Sequence, residues 1–169
     1  IPDDLASQLA GIQDILRTEI LNIRDLMQLL RPDDIDTRRL VEHLANLADR
    51  FERHSGLQTR FVSDVEEMAL PARVCRELAR AVHEALVNVR KHSGARNVLV
   101  RVTHGDDRWV VIVDDDGRGF DFEGRMSHEE MDRLRRGPVI LKEHARAAGG
   151  SLAVQSQRGV GARVEITIP

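Results

Sequence analysis

The chain of 169 residues has a single cysteine, Cys75, so no disulfide can form within it and a reducing compartment fits best. An excess of either charge is missing too. The 25 Lys and Arg residues against 28 Asp and Glu leave a net charge of −3, which makes no case for nucleic acid as a partner. No apolar run approaches the roughly 20 residues needed to span a bilayer, and no membrane contact is expected within these residues. The opening Ile1-Pro2-Asp3-Asp4 has neither a Met nor the charged-then-apolar pattern of a signal peptide. The chain therefore reads as a cytoplasmic piece of something longer. Repeats and low-complexity tracts are lacking, and the length suits one well-buried domain with an appendage, since domains commonly run about 100–150 residues.

What is there begins with one helical pattern over the first thirty residues, with Asp3 or Asp4 to cap its start and Pro32 to end it. Read in heptads, Leu9, Leu16, Ile23 and Leu30 fall on one seam position and Leu5, Ile12, Glu19 and Leu26 on the other, so seven of eight are apolar. Ile15, Ile20, Leu21, Met27 and Leu29 widen the stripe. Such a helix calls for a partner helix or a second copy; the plainer alternative is a helix packed on its own domain.

A second helix is expected at about 36 to 53, carrying Leu40, Leu44, Leu47 and Phe51, and then a weakly alternating strand in "LQTRFVSD". A long helix follows Leu70-Pro71 and runs through His92, with Gly94 as its stop. "NVLVRVTH" and "RWVVIVDD" are two strands about the turn Gly105-Asp106-Asp107. Residues 116–138 are polar, Gly-rich and longer than the usual connection of about 4–6 residues, which suggests a lid. Inside it Ser127 and Glu130 form a capping box for a short charged helix. A helix from Gly137 to Ala148 and a closing hairpin about Gly159 and Gly161 complete an α+β order, helices layered on one face of a mixed sheet.

The chemistry concentrates in two places. "HEALVNVRKH", residues 83–92, is not the zinc-protease pattern, because position 87 is Val where a second His is needed. On a regular helix Glu84, Asn88, Lys91 and His92 share one stripe, and Leu78, Val82, Ala85, Leu86 and Val89 share the opposite one. The apolar stripe would pack on the sheet and leave a carboxylate, an amide and a cation above it. A solvated helix face is the bland reading, but an Asn inside a helix costs propensity. The second place is "VDDDGRGF", residues 113–120, where an apolar strand ends in three carboxylates and a Gly-x-Gly. Such glycines let backbone come close to a ligand, and an Asp at a strand end can accept from an amine. The dinucleotide fingerprint is excluded, because no helix follows directly and the third Gly is absent.

Together the two elements resemble the Bergerat-fold ATP-binding domain of sensor histidine kinases, type II topoisomerases and large heat-shock chaperones. More closely, the chain resembles a sensor histidine kinase of the nitrate-sensor subfamily. That family's helix motif, Glu-Ala-Leu-Thr-Asn-Val-x-Lys-His, stands here as Glu84-Ala85-Leu86-Val87-Asn88-Val89-Arg90-Lys91-His92. Its strand motif stands as Asp115-Asp116-Gly117-Arg118-Gly119-Phe120, and "RAAGGSL" with "GVGARVEITIP" matches its closing segments. The resemblance implies residues 1–32 as the second helix of a dimerisation hairpin and 33–169 as the catalytic domain, with an ATP lid at about 116–138. By the same resemblance Asn88 binds Mg2+, Glu84 acts as general base or through a metal-bound water, and Lys91 and His92 approach the phosphates. Asp115 accepts from the adenine amine, Gly117 and Gly119 let the backbone pass the nucleotide, and Gly159 and Gly161 belong to the closing segment of the ATP site.

The chain departs from the family in its second glycine box, usually Gly-x-Gly-Leu and here Arg135-Arg136-Gly137-Pro138, so Arg135, Arg136 and Gly137 stand in for it. Pro138 suits a first helical position but has no backbone N–H, so this helix start offers phosphate one donor fewer. Ala162 sits where the family favours Thr. No phosphoacceptor is assigned: His83-Glu84 and His128-Glu129 imitate the acceptor's sequence but belong to the nucleotide helix and the lid, and His43, His54, His104 and His144 read as surface residues. The resemblance further implies ATP and Mg2+ as cofactors, a homodimer through the first helix and a cognate response regulator as partner, and it is compatible with either a free or an inner-membrane-anchored full-length protein. The alternative is a degenerate module that signals without phosphotransfer.

Overall fold

The computed structural model describes residues 3–30 and 36–169. The chain divides after residue 34 into two units. The first holds helix α1 (Asp3–Leu30). Along it Leu5, Leu9, Ile12, Ile15, Leu16, Ile20, Ile23 and Met27 are all exposed, from 48% at Leu5 to 63% at Ile15. The side chains of Asp3, Asp4, Leu26, Leu29 and Leu30, and Pro32 as a stop, lie outside the described residues.

In the second unit the Asp36 carboxylate accepts from the Arg38 amide at 3.0 Å and opens a 3-10 turn, Thr37–Arg39. Helix α2 (Leu40–Ser55) buries Leu40, Leu44, Leu47 and Ala48, a spacing that puts them on one face. Gly56, at φ 73°, ends it, its amide donating to the Glu52 carbonyl at 2.9 Å. Strand β1 (Gln58–Ser63) follows, and helix α3 (Ala72–Asn88) crosses over to β2 (Asn97–Gly105), which lets β1 and β2 pair in parallel. Strand β3 (Arg108–Asp115) returns through a tight turn with Asp106 and Asp107 at positive φ. Then come β4 (Gly124–Ser127), α4 (His128–Leu134), α5 (Val139–Ala147), β5 (Ser151–Gln157) and β6 (Gly161–Ile168).

The six strands lie in the order β1-β2-β3-β6-β5-β4, all antiparallel except the first pair. Alternation sends Val98, Val100, Val102, Val111, Val113, Leu152, Val154, Ile166 and Ile168 to one face, where they are buried under the helices. Each such side chain contributes about 1.5–3 kcal/mol of burial. The other face carries ion pairs across the ladder. Arg163 grips Asp114 through two hydrogen bonds of 2.6 and 2.9 Å, and Arg125 meets Glu165 at 2.7 Å.

Four expectations need correction. The stretch expected as a lid with one short helix also contains a strand, because residues 124–127 add β4 to the sheet edge and pair with β5. The long helix stays regular only to Asn88 and then widens into a five-residue π turn, Val89–Ser93. His43 is half-buried, and burial together with Arg50 lowers its pKa. His144 joins α5 to α3 through Nδ1, 2.8 Å from Glu77 Oε2. Both histidines sit at the inward edge of an amphipathic helix. The capping box is present as expected, with Ser127 Oγ accepting from Glu130 N at 3.3 Å and the Glu130 carboxylate accepting from Ser127 N at 2.8 Å.

Candidate functional site

A cavity of about 810 Å³ opens where the end of α3, the end of β3, the start of β6 and the segment between α4 and α5 meet. Strand alternation assigns the three consecutive carboxylates different tasks. Asp114 points to the outer face and holds Arg163. Asp116 accepts from Arg96 N at 2.8 Å, Asn97 N at 2.9 Å and Asn97 Nδ2 at 2.6 Å, bonds that hold its pKa below the usual carboxylate range and staple β3 to the start of β2. Only Asp115 of the three lines the cavity. Burial pushes its pKa up; the Gly117 amide, 2.9 Å from Oδ1, pulls the other way, and the like charges of Asp116 and Asp114 add to the rise. With Oδ1 occupied by that amide, Oδ2 is the acceptor left for a ligand.

The loop after Asp115 is drawn tight against the end of the π turn. Arg118 N donates to the Ser93 carbonyl at 2.8 Å, and the Arg118 carbonyl accepts from Gly159 N at 3.0 Å. A Cβ at position 117 would stand 2.5 Å from the Ser93 carbonyl oxygen and 2.6 Å from Ser93 Cβ, so only glycine permits this approach. Ser93 itself donates to the Val89 carbonyl at 2.7 Å and accepts from Ala95 N at 3.0 Å.

The π turn decides which polar residues of the helix motif reach the cavity. With more than four residues per turn, His92 comes round beneath Asn88 and both line the cavity, whereas Lys91 is rotated out of the wall and exposed. Glu84 is half-buried one turn before Asn88 and also stands outside the wall. Among the described residues neither the Asn88 amide nor the Glu84 carboxylate is committed to another protein group. Two hard oxygen donors therefore remain available a turn apart, which fits Mg2+, an ion that takes few protein ligands and keeps several waters.

Of the other expected residues, Gly119, Arg135, Arg136 and Gly137 line the cavity. Gly117, Gly159 and Gly161 do not line it; Gly117 and Gly161 instead allow close backbone approaches to Ser93 and Asp115, and Gly159 takes a left-handed turn. The motifs gave no role to Arg118, Phe120, Asp121, Leu141 or Arg158, all in the wall. Only Arg118 and Phe120 had a signal, their place inside the quoted strand motif.

Helix α4, beside this wall, is tied to α5 and to β5. Asp132 on α4 receives Lys142 Nζ at 2.7 Å and Arg146 Nη2 at 2.6 Å from α5, and these cations hold its carboxyl below the usual range. His128 is fixed as well, its Nδ1 accepting from Leu152 N at 3.3 Å while burial lowers its pKa. His83 is only 5% exposed within α3.

Known proteins resemble the chain along nearly its whole length. The signal transduction histidine-protein kinase/phosphatase DegS of Brevibacillus brevis is 26% identical over 167 residues, covering 99% of this chain and 42% of that protein. The sensor histidine kinase LiaS of Bacillus subtilis is 31% identical over 150 residues, covering 87% and 39% respectively. The chain thus spans less than half of either relative. Among solved structures, the histidine kinase domain of the Erythrobacter litoralis EL346 blue-light activated kinase superposes with a TM-score of 0.65 at 22% identity, covering 98% of this chain and 80% of that one. The ATP binding domain of PrrB from Mycobacterium tuberculosis gives 0.52 at 21% identity, covering 73% and 91%. They share its α+β fold, the Bergerat-type layer of helices on a mixed sheet. Residues 74–169, more than half of the chain and all of the cavity wall, match the family of histidine kinase-, DNA gyrase B- and HSP90-like ATPases, and the chain belongs to that family.

Proposed function

We propose that the chain is the ATP-binding catalytic part of a two-component sensor histidine kinase, of the nitrate-sensor type that its motifs resemble. It moves the γ-phosphoryl group of ATP to a histidine on a helix outside these residues. The observation that carries this reading is the convergence of Asn88, from a helix end, and Asp115, from a strand end, on one cavity in a chain of this ATPase family. Residues 1–32 are then the second helix of a dimerisation hairpin and 33–169 the catalytic domain. The exposed apolar row of α1 supports pairing with a second copy in a full-length homodimer. A cognate response regulator receives the phosphoryl group, and the work is cytoplasmic; among the described residues no helix is long and apolar enough to cross a membrane.

In this reading Asp115 accepts from the adenine amine and His92 contacts the phosphates, with Lys91 beside it on the turn. Asn88 would hold Mg2+ through its carbonyl oxygen, and Glu84 would act through a metal-bound water or as general base. The bound ion supplies neutralisation of phosphate charge. The acceptor imidazole attacks the γ-phosphorus, the bond to the β–γ bridging oxygen breaks, and ADP leaves with that electron pair. With Glu84 in the role of base, the ring proton passes to its carboxylate. Phosphoryl transfer asks for positioning and charge above all, which this wall supplies.

Asn88→Ala is expected to separate metal from nucleotide. Calorimetric titration with ATP should show tight, Mg2+-dependent binding by the wild-type chain, and weaker binding nearly insensitive to Mg2+ by the variant. An unchanged Mg2+ dependence removes Asn88 from the metal site. Absence of any ATP binding by the wild-type chain favours the degenerate module, to which the loss of a backbone donor at Pro138 would then contribute.

A further inference from the structure

Four guanidinium groups border the cavity: Arg118 after β3, Arg158 from the turn between β5 and β6, and Arg135 and Arg136 from the end of α4. Elsewhere in the domain Arg39, Arg80, Arg125, Arg146 and Arg163 each hold a carboxylate. The side chains of Arg118, Arg135 and Arg136 hold none among the described residues. Arg158 makes one long contact, Nη2 to the Asp121 carbonyl at 3.4 Å, leaving most of its donors unused. With only Asp115 and Asp121 as carboxylates in the same wall, cationic side chains outnumber anionic ones.

The backbone at Arg135 points the same way. It caps α4 in the left-handed region, φ 52° and ψ 43°, where a helix end ordinarily uses glycine or asparagine because a Cβ is disfavoured there. Among the described residues the other non-glycine positions at positive φ are Asp106 and Asp107, in a hairpin turn that suits them. A long cationic residue kept in a strained position on a cavity wall is a mark of function. Pro138, at the cap of α5, removes one of the amides with which a helix start binds phosphate.

We infer that the phosphate chain of the nucleotide is read by an arginine clamp built from two walls, Arg118 and Arg158 from the sheet side with Arg135 and Arg136 from the lid. It rests on the nucleotide reading above and adds to it. Guanidinium groups bind phosphate oxygens bidentately, so they replace amide donors with charge and make affinity depend on the number of phosphates. Selection should run steeply from ATP through ADP to AMP and weaken with salt, because the four groups are exposed.

The test is calorimetric titration of the whole chain with ATP, ADP, AMP and adenosine, without Mg2+ and at two salt concentrations. Arg118→Ala and Arg158→Ala should each lower ATP affinity by about tenfold or more and leave adenosine binding unchanged. Arg135→Gly should raise the melting temperature of the unliganded chain while lowering ATP affinity, opposite changes that a purely structural residue does not give. Wild-type affinity for ATP in both Arg118→Ala and Arg158→Ala overturns the clamp, as does a wild-type chain that binds ATP no better than adenosine. A wild-type chain that binds neither defeats the nucleotide reading itself, a result distinguishable from the other two.

Discussion

Asp115→Ala is expected to abolish the thermal stabilisation that ATP gives the chain. A ligand at 100 times its Kd adds about 2.7 kcal/mol of stability. For a chain of this size that raises the melting temperature by roughly 5–10 °C in the wild type. The carboxylate is the one acidic group at this strand end turned into the cavity, since Asp114 is spent on Arg163 and Asp116 on Arg96 and Asn97. Removing it leaves the ligand's amine without its acceptor in a buried place, where an unmet donor costs most. A pH signature accompanies this. Burial raises the Asp115 pKa, so acceptance by the ionised form strengthens as pH rises through that raised value and fades below it. Scanning fluorimetry with millimolar ATP and Mg2+ reads the effect. Equal shifts in the wild type and Asp115→Ala would remove the adenine assignment.

Gly161→Ala is expected to cost both stability and binding, although Gly161 does not line the cavity. Its φ of 140° lies where side chains are strained, and an added Cβ would run into the carbonyl of Asp115 across the β3–β6 ladder. Backbone strain of about 1–3 kcal/mol adds to overpacking of about 1–3 kcal/mol. The melting temperature should then fall by roughly 5–15 °C. Relief of the collision moves Asp115 itself, so the ATP-dependent shift should vanish with it. Gly159→Ala is the comparison, because its Cβ meets nothing within 4 Å and only its φ of 72° is strained. A Gly161→Ala chain that melts and binds ATP like the wild type would mean that β6 does not set the position of Asp115.

Much of this site was legible because its chemistry is tied to residue type. Asn88 within an otherwise apolar-backed helix, and Asp115 before Gly-x-Gly, are choices that packing alone does not ask for, and both reach the cavity. The two β-hairpins and the capping box were legible from turn residues and spacing, which act locally. The rest depends on tertiary context. Strand β4 has four residues and a single inward apolar side chain, Met126, so no alternation announces it and only its pairing with β5 makes it a strand. Nothing in the composition of the π turn rules out a regular helix, and the hydrogen bond from Arg118 N to the Ser93 carbonyl that fixes its end comes from a loop many residues on. Regular helical spacing therefore put Lys91 on the Asn88 stripe, and the wider turn takes it out of the wall. Arg158 was illegible for a similar reason: an arginine in a hairpin turn reads as solvated until the fold brings Asp121 and the cavity beside it.

In the proposed reaction the chain supplies nucleotide, metal and base but not the histidine that is phosphorylated. His83 is buried within α3, and His128 is held by Leu152 N with Arg146 Nη2 3.0 Å from its other nitrogen. Transfer requires reacting atoms about 3–3.5 Å apart in line, which neither fixed ring can arrange without leaving its element. The deciding measurement is incubation with γ-labelled ATP and Mg2+, with and without the upstream helical hairpin supplied as a separate polypeptide. No acid-labile label is expected on the chain alone, and label is expected on a histidine of the added hairpin. Label on His83 or His128 of the chain alone, or an unlabelled hairpin beside a chain that binds ATP, would contradict this division of labour.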